Sequence, residues 1–397
     1  MTTVVLLGAG ASADAGLPTT AEMTREILRR FEDERRGWGG VTPALNFVVA
    51  AMSFHDAATT GSSPVESVDV ERVISAVEML AERDELEVAP FVQSWHPAVS
   101  SVGAPRPNFP AFFGGDFLSA IEAKSERSVE TLLRTAILSQ SAATNTDVYS
   151  NLLRELVRAL VDVLRIEDPE RTRYLAPLFD LASAQGGLAV ATLNYDLSVE
   201  TCGELLSHPV RTHIEEWIGK GHIAAAFPPS GVHLFKLHGS INWVAKRGQN
   251  QQGTMPEPRI EPTDNLDFHD MPAVIFGQRG KLRTDGPYLD LLASFIDALH
   301  DAEHLLVIGY SFRDDHVNEV LRKWINVDPA RTITVIDPTY PQFPGGAYPP
   351  RFRDELLLHL TSRAKPERFP ARLHVVRERT EDALPGVVEA LAERASG

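Results

Sequence analysis

Cysteine is almost missing from this chain: Cys202 is the single one in 397 residues. That excludes a disulfide within the chain and any zinc site built from several thiolates. Long apolar runs are missing as well. None reaches the roughly 20 residues that cross a bilayer as a helix, and the opening strand leaves no room for a secretory signal, so the expectation is a cytoplasmic protein without membrane contact. Positive charge is the third shortage. With 38 Lys and Arg against 54 Asp and Glu, the net charge is -16, a field that repels nucleic acid over most of a surface, so direct nucleic-acid binding is not expected. The remaining composition, 43% hydrophobic and 23% charged, is that of a globular protein, and the length suits about two or three folding units.

What is present is organised around the amino end. Val4-Val5-Leu6-Leu7 runs straight into Gly8-Ala9-Gly10-Ala11-Ser12, and Gly16-Leu17-Pro18 comes shortly after. Apolar, partly β-branched residues that end on a glycine pair read as a buried parallel strand turning into a loop. Gly8 and Gly10 let the backbone turn sharply and approach a ligand, the next amides can point at a diphosphate, and Ser12 adds a hydroxyl. Alone, the pair describes a plain structural turn equally well. Thr19 with Glu22 then makes a capping-box signal for a helix over 21–35, with Met23, Ile27, Leu28 and Phe31 at helical spacing. A dehydrogenase-type dinucleotide fold would next return through a strand ending in an acidic ribose ligand. Instead Gly37 to Gly40 breaks the chain, and the residues beyond it are patterned as helix.

Asp69 is placed to cap a helix over 70–85; further helices are expected over 117–124, 129–140 and 147–166, and Pro90 to Gly115 should be irregular. The expected organisation is therefore a first strand, glycine loop and helix over 1–36, a helical insertion over 37–169, and the remainder of a Rossmann-like, doubly wound parallel α/β sheet over 170–397. The insertion reads equally as a packing layer or an oligomerisation surface.

From Pro177 the α/β pattern resumes. A helix to Gln185 stops at Gly186-Gly187, and a buried strand over 188–193 ends at Asn194-Tyr195-Asp196. The strand 233–237 ends at His238-Gly239-Ser240, and a looser excursion is expected over 245–270. A strand over 273–276, a helix over 288–300 and a strand over 304–308 come next. That last strand ends in Gly309-Tyr310-Ser311-Phe312. A helix over 314–325, a strand over 332–336 ending at Asp337, a loop region, a strand near 373–377 and a helix over 384–394 complete the reading. Five strand ends thus carry polar residues, and in one parallel sheet all would face the same edge. Each has a structural reading: Asn194 and Asp196 as turn or cap residues, His238 as a satisfied core histidine, Ser311 as a cap for the helix beginning at Asp314. Five together on one edge favour a ligand site.

These residues resemble the sirtuins. Gly8-Ala9-Gly10-Ala11-Ser12 with Gly16-Leu17-Pro18 is similar to the sirtuin NAD loop, Thr192-Leu193-Asn194-Tyr195-Asp196 to its asparagine and aspartate motif, and Leu237-His238-Gly239 to the segment of its catalytic histidine. Gly309-Tyr310-Ser311 and the strand ending at Asp337 are similar to its later cofactor-binding turns. The likeness covers Met1 to Arg35 and about Pro177 to Pro338. Two departures narrow it. Sirtuin deacylases follow the glycine loop with Pro-Asp-Phe-Arg, where this chain has Pro18-Thr19-Thr20-Ala21, and they carry a four-cysteine zinc module that a chain with one cysteine cannot build. What remains resembles the sirtuin-like NAD hydrolases of bacterial anti-phage defence, in which His238 to Trp243 and Gly309 to His316 have counterparts.

That resemblance implies a hydrolase cleaving NAD to nicotinamide and ADP-ribose as the NAD-depleting effector of a defence system. A protein deacylase and a non-catalytic NAD or ADP-ribose sensor are the alternatives. Gly8, Ala9, Gly10, Ala11, Ser12, Gly16, Thr192, Tyr195, Gly309, Ser311 and Asp337 would bind the dinucleotide. Asn194 would orient the ribose hydroxyls and a water, His238 would be the general base, with an ordinary pKa near 6.5, and Asp196 would meet the carboxamide or the developing cation. No metal is required. A homo-oligomer is expected through the apolar faces of the helices between Val70 and Ile166, with a HerA-type ATPase or an Argonaute-like protein as possible partner.

Overall fold

The computed structural model describes residues 2–32, 41–60, 69–83, 85–89, 146–223, 230–246, 259–263, 271–276, 286–345, 350–361 and 371–396. The expected helices over 117–124 and 129–140, the irregular stretch from Pro90 and the break at Gly37 to Gly40 lie outside them. The chain divides into two compact units, one of Met1–Met23 with Val161–Gly397, the other Thr24–Leu160.

The first unit is built on strands β1 (Thr3–Leu7), β2 (Leu188–Thr192), β3 (Val210–Arg211), β4 (Val232–Lys236), β8 (His304–Ile308), β9 (Thr332–Ile336) and β10 (Leu373–Val376), with β5 (Gly239–Lys246), β6 (Arg259–Pro262) and β7 (Pro272–Val274) in a second sheet. The main sheet runs β10-β9-β8-β1-β2-β4-β3, every pair parallel. Its strands are apolar on both faces because both are covered. Val4 and Leu6 pack with Leu305, Val307, Ile333 and Val335 on one face; Val5 and Leu7 pack with Val190, Leu234, Leu306 and Ile308 on the other. Helices 288–300, 315–327 and 352–360 contribute Phe295, Leu321 and Leu356 to the first face, and helices 176–185, 198–206 and 380–396 contribute Phe179, Val199 and Leu384 to the second. This is a Rossmann-like, doubly wound sheet. The chain leaves β1 toward β2 on one side and later adds β8 on the other, so the switch point where such sheets bind ligands lies at the carboxyl end of β1.

In the unit Thr24–Leu160, helix 70–81 buries Val70, Val73, Ile74 and Val77, the i, i+3, i+4, i+7 face of an amphipathic helix. Asp69 caps it by accepting from the Arg72 amide at 2.8 Å. It stops four residues short of the expected end, where Arg83 Nη1 donates to the Leu80 carbonyl and satisfies a terminal acceptor. Helix 42–60 is tied to it by an ion pair of Arg72 with Asp56 at 2.7 Å. The helix expected over 147–166 runs Thr146–Val163 and buries Leu152, Leu156 and Leu160.

Three sequence expectations are corrected. A loose excursion is expected over 245–270, of which 247–258 and 264–270 lie outside the described residues, but 245–246 and 259–262 are strand; the strand expected over 273–276 is present as β7. Gly239, at φ +85, turns the chain out of the parallel sheet, and β5 pairs antiparallel with β6 and β7. The alternation of Ile241 and Trp243, both buried, is the sequence signal for it. Helix 352–360 stands where a loop is expected after Pro338. The last helix begins at Thr380, ahead of Pro385, because Asp14 anchors its first turn: Asp14 Oδ2 accepts from the Glu381 amide at 2.9 Å, and Oδ1 pairs with Arg379.

Candidate active site

The glycine corner is shaped by its neighbour across the sheet. The Gly8 amide donates to the Ile308 carbonyl and the Gly10 amide to the Gly309 carbonyl, each at 2.9 Å. A Cβ on Gly8 would lie 2.6 Å from Tyr310 Cα, and one on Gly309, at φ +60, would lie 2.2 Å from the Ala11 amide nitrogen. Glycine is required at both ends because two backbones touch, a reason that the sequence pattern did not disclose. The amides of Gly10, Ala11 and Ala13 all donate within the protein, and the Ser12 hydroxyl is a donor the corner can turn to a ligand. Gly16, at φ +84, lies under the guanidinium of Arg171. Three residues on, the Tyr174 hydroxyl donates to the Ala11 carbonyl at 2.5 Å. Burial, followed by the charges of Asp196 and Asp14, pushes that hydroxyl well above its usual pKa, which keeps it a donor.

At the end of β2, Asn194 faces this corner. Its Nδ2 donates to the Gly8 carbonyl at 2.9 Å and to Ser12 Oγ at 3.1 Å, while its amide donates to Thr192 Oγ1. With both Nδ2 hydrogens committed, Asn194 offers a ligand its Oδ1 acceptor. Asp196 Oδ1 accepts from the Ser198 amide, which is a capping contact. The Tyr195 hydroxyl donates to the Ile275 carbonyl at 2.8 Å. Lys236, fully buried at the end of β4, places Nζ 2.6 Å from the Asp196 carbonyl and 2.7 Å from Glu200 Oε1. That pair fixes the turn after β2.

Lys236 stands opposite Thr192 in the sheet, and both strands run on by two residues, to His238 and Asn194. His238 is buried; its Nε2 lies 2.9 Å from Asp314 Oδ2, and its Nδ1 has no partner among the described residues. Asp314 is the N-cap of helix 315–327, its Oδ1 accepting from the amides of His316 and Val317. The cap is therefore Asp314 and not Ser311, which is exposed. Asp337 Oδ1 accepts from the Thr339 amide and hydroxyl, the bonds of an Asx turn.

A small concavity of about 10 Å³, room for roughly one water, lies at the carboxyl ends of β1 and β2, lined among others by Ala11, Ser12, Thr192, Asn194, Asp196 and Ser198. It is far smaller than sites that enclose a whole small molecule. The buried Ser198 hydroxyl on its wall has no partner among the described residues. Thus the structure gathers Ala11, Ser12, Thr192, Asn194 and Asp196 around one space and sets His238 at the next strand end. Gly309, Ser311, Asp337 and Tyr195 do not line it. Among the described residues no group of three or more His, Cys, Asp or Glu could hold a metal ion, and no helix is long and apolar enough to cross a membrane. Burial pushes the Cys202 thiol up to about 11, which leaves it protonated at neutral pH and unfit as a nucleophile.

Sequence reasoning missed Lys236, Ser198 and Arg171 as parts of this site, and read Asp314 only as the start of a helix. Lys236 offered one signal, a charge at the end of an otherwise apolar strand, which demands a buried partner. The second role of Asp314 had none, because its partner lies 76 residues away.

The SIR2-like domain family model matches residues 188–348, from the first residue of β2 to beyond β9; the glycine corner precedes it. No curated protein matches the chain. Among solved structures, a Sir2 homologue in complex with NAD is 12% identical over 99% of this chain and 90% of its own, with a TM-score of 0.43. A mutant Sir2 homologue in complex with 2′-O-acetyl ADP-ribose is 12% identical over 100% of this chain and 94% of its own, with a TM-score of 0.41. The parallel sheet is wound on both faces, and the segment 188–348 that supplies β2 to β9 is similar to the SIR2-like domain, so the fold of this part is sirtuin-like.

Proposed function

We propose that this chain binds NAD at the carboxyl edge of the parallel sheet and hydrolyses its nicotinamide–ribose bond. The observation that supports this reading is the placement of Ser12 and Asn194 about one concavity at the switch point, with His238 at the end of the neighbouring strand. Breaking that bond builds positive charge on the ribose, so the site must orient the sugar, accept charge and admit one water. Asn194 Oδ1 accepts from a ribose hydroxyl or the water. Ser12 donates its hydroxyl proton to the dinucleotide, and Arg171, over Gly16, supplies positive charge beside the corner. Asp196 faces the developing cation. His238 takes one proton from the water as its oxygen bonds to the ribose carbon; the electron pair of the broken bond leaves on nicotinamide, and ADP-ribose remains. The concavity has room for about one water and not for a dinucleotide, so binding must open it.

The resemblance to defence proteins extends the proposal to an NAD-depleting effector that works as a homo-oligomer or with a partner ATPase or Argonaute-like protein. A deacylase is disfavoured by the single cysteine. The test is release of nicotinamide from NAD by the purified chain, alone and with such partners, scored against Asn194→Ala and His238→Ala at equal folded concentration. Each variant should lose at least about 100-fold in turnover, the scale of a lost general base. Turnover near that of the parent removes the residue from its role, and an acylated peptide consumed in place of water would establish the deacylase.

A further inference from the structure

We infer that Asp314 is the positioning residue of His238, and that it makes Nδ1, not Nε2, the base. This rests on the reading of His238 as the base in NAD cleavage, and it adds which atom works and what holds it. The carboxylate can only accept, so at 2.9 Å from Oδ2 the Nε2 nitrogen carries the hydrogen. A neutral imidazole has one N–H. Nδ1 is then left with its lone pair, and Nδ1 is the buried ring atom that has no partner.

Asp314 is itself held from three sides. Its Oδ1 accepts the amides of His316 and Val317 at 3.0 and 3.2 Å. Its own amide donates to the Tyr310 hydroxyl at 3.1 Å, which in turn donates to Asn318 Oδ1 at 3.0 Å, while Asn318 Nδ2 donates to the Phe312 carbonyl at 2.9 Å. Both Asp314 and Asn318 are buried. The turn after β8, expected to bind the dinucleotide, thus serves in its Tyr310 and Asp314 as a clamp on the histidine. On the far side, the His238 carbonyl accepts from the Ile275 amide at 2.9 Å, which fixes the backbone from which the ring projects. When Nδ1 takes a proton from the attacking water, an O–H bond breaks and an N–H bond forms. The imidazolium keeps its Nε2–H on Asp314, whose charge stabilises it without accepting that proton. The same logic operates in serine proteases, where exchanging the buried aspartate for asparagine leaves the geometry intact and lowers kcat about 10⁴-fold through the wrong tautomer.

The test is Asp314→Asn in the full chain. Asparagine retains the helix cap, but its amide can donate to Nε2 and drive the hydrogen to Nδ1. Nitrogen-15 NMR of histidine-labelled protein, with the His238 signals assigned by His238→Gln, should show an unprotonated Nδ1 in the parent and a protonated Nδ1 in Asp314→Asn. Nicotinamide release should fall roughly 10²–10⁴-fold in kcat with KM little changed, since a tautomer acts on the chemical step. A protonated Nδ1 in the parent, or parental kcat in the variant, overturns the inference. If the parent releases no nicotinamide, the proposed hydrolysis fails and the NMR result alone decides the role of Asp314.

Discussion

The two edges of the parallel sheet each bury a histidine, and they use it in opposite ways. At the carboxyl edge, His238 has a carboxylate on one ring nitrogen and nothing on the other, and Asn194, Ser12 and Lys236 converge on the same strand ends. At the amino edge, His304 begins β8 between Thr3 and Thr332. Its Nδ1 lies 2.7 Å from Thr332 Oγ1, and its Nε2 lacks a partner, as do Thr3 Oγ1 and Gln185 Nε2. Burial, with the positive charges of Arg394 and His374, pushes the His304 pKa down to about 4. An unpartnered buried atom is therefore not by itself a site. What distinguishes the carboxyl edge is the Asp314 carboxylate on His238 and the gathering of Ser12, Asn194 and Asp196 around one space.

Three measurements test this contrast on the free protein. The largest effect is expected from Lys236→Met, which leaves Glu200 and the Asp196 carbonyl without their cation. Urea denaturation should show a loss of about 3–5 kcal/mol, and a loss under about 1 kcal/mol would mean that the buried ammonium does not pin the turn carrying Asn194. The next effect is a pH dependence at the amino edge. Because the folded pKa of His304 lies below its unfolded value of 6.5, the unfolded chain binds the proton more readily. Stability from this residue is full above pH 6.5 and is lost as pH falls toward 4, by about 3 kcal/mol at most. Subtracting the profile of His304→Gln isolates it, and identical profiles would show that His304 is not held neutral by folding. The smallest effect is none at all: treatment with a metal chelator should leave both nicotinamide release and the melting temperature unchanged. Loss of either, restored by zinc, would place a metal at one of the two edges.

How much of the site was legible depends on the range over which each signal acts. The ends of β1, β2, β4, β8 and β9 could be read because a buried parallel strand is an unbroken apolar run, and a polar residue after it stands out. Asn194 and His238 stand at two such ends. The antiparallel sheet of β5, β6 and β7 could not be read in this way, because Gly239 reads as the end of one strand and only its positive φ makes it the start of another. Helix 352–360 was hidden by its short apolar face of Phe352, Leu356 and Leu357, and the start of the last helix by Pro385, a residue that ordinarily ends or precedes a helix.

The residues alone determined which segments are buried strands, where each one ends and which side chains stand at those ends, because side-chain period and glycine chemistry act within a few neighbours. Only the tertiary structure decided what those ends meet. The glycines of the corner serve a contact with Gly309 and Tyr310, far away in sequence. His238 Nε2 meets an aspartate on a helix beyond another strand, and the pKa of His304 is lowered by burial beside Arg394 and His374. Such pairings depend on the order in which strands assemble into a sheet, and no local periodicity encodes that order.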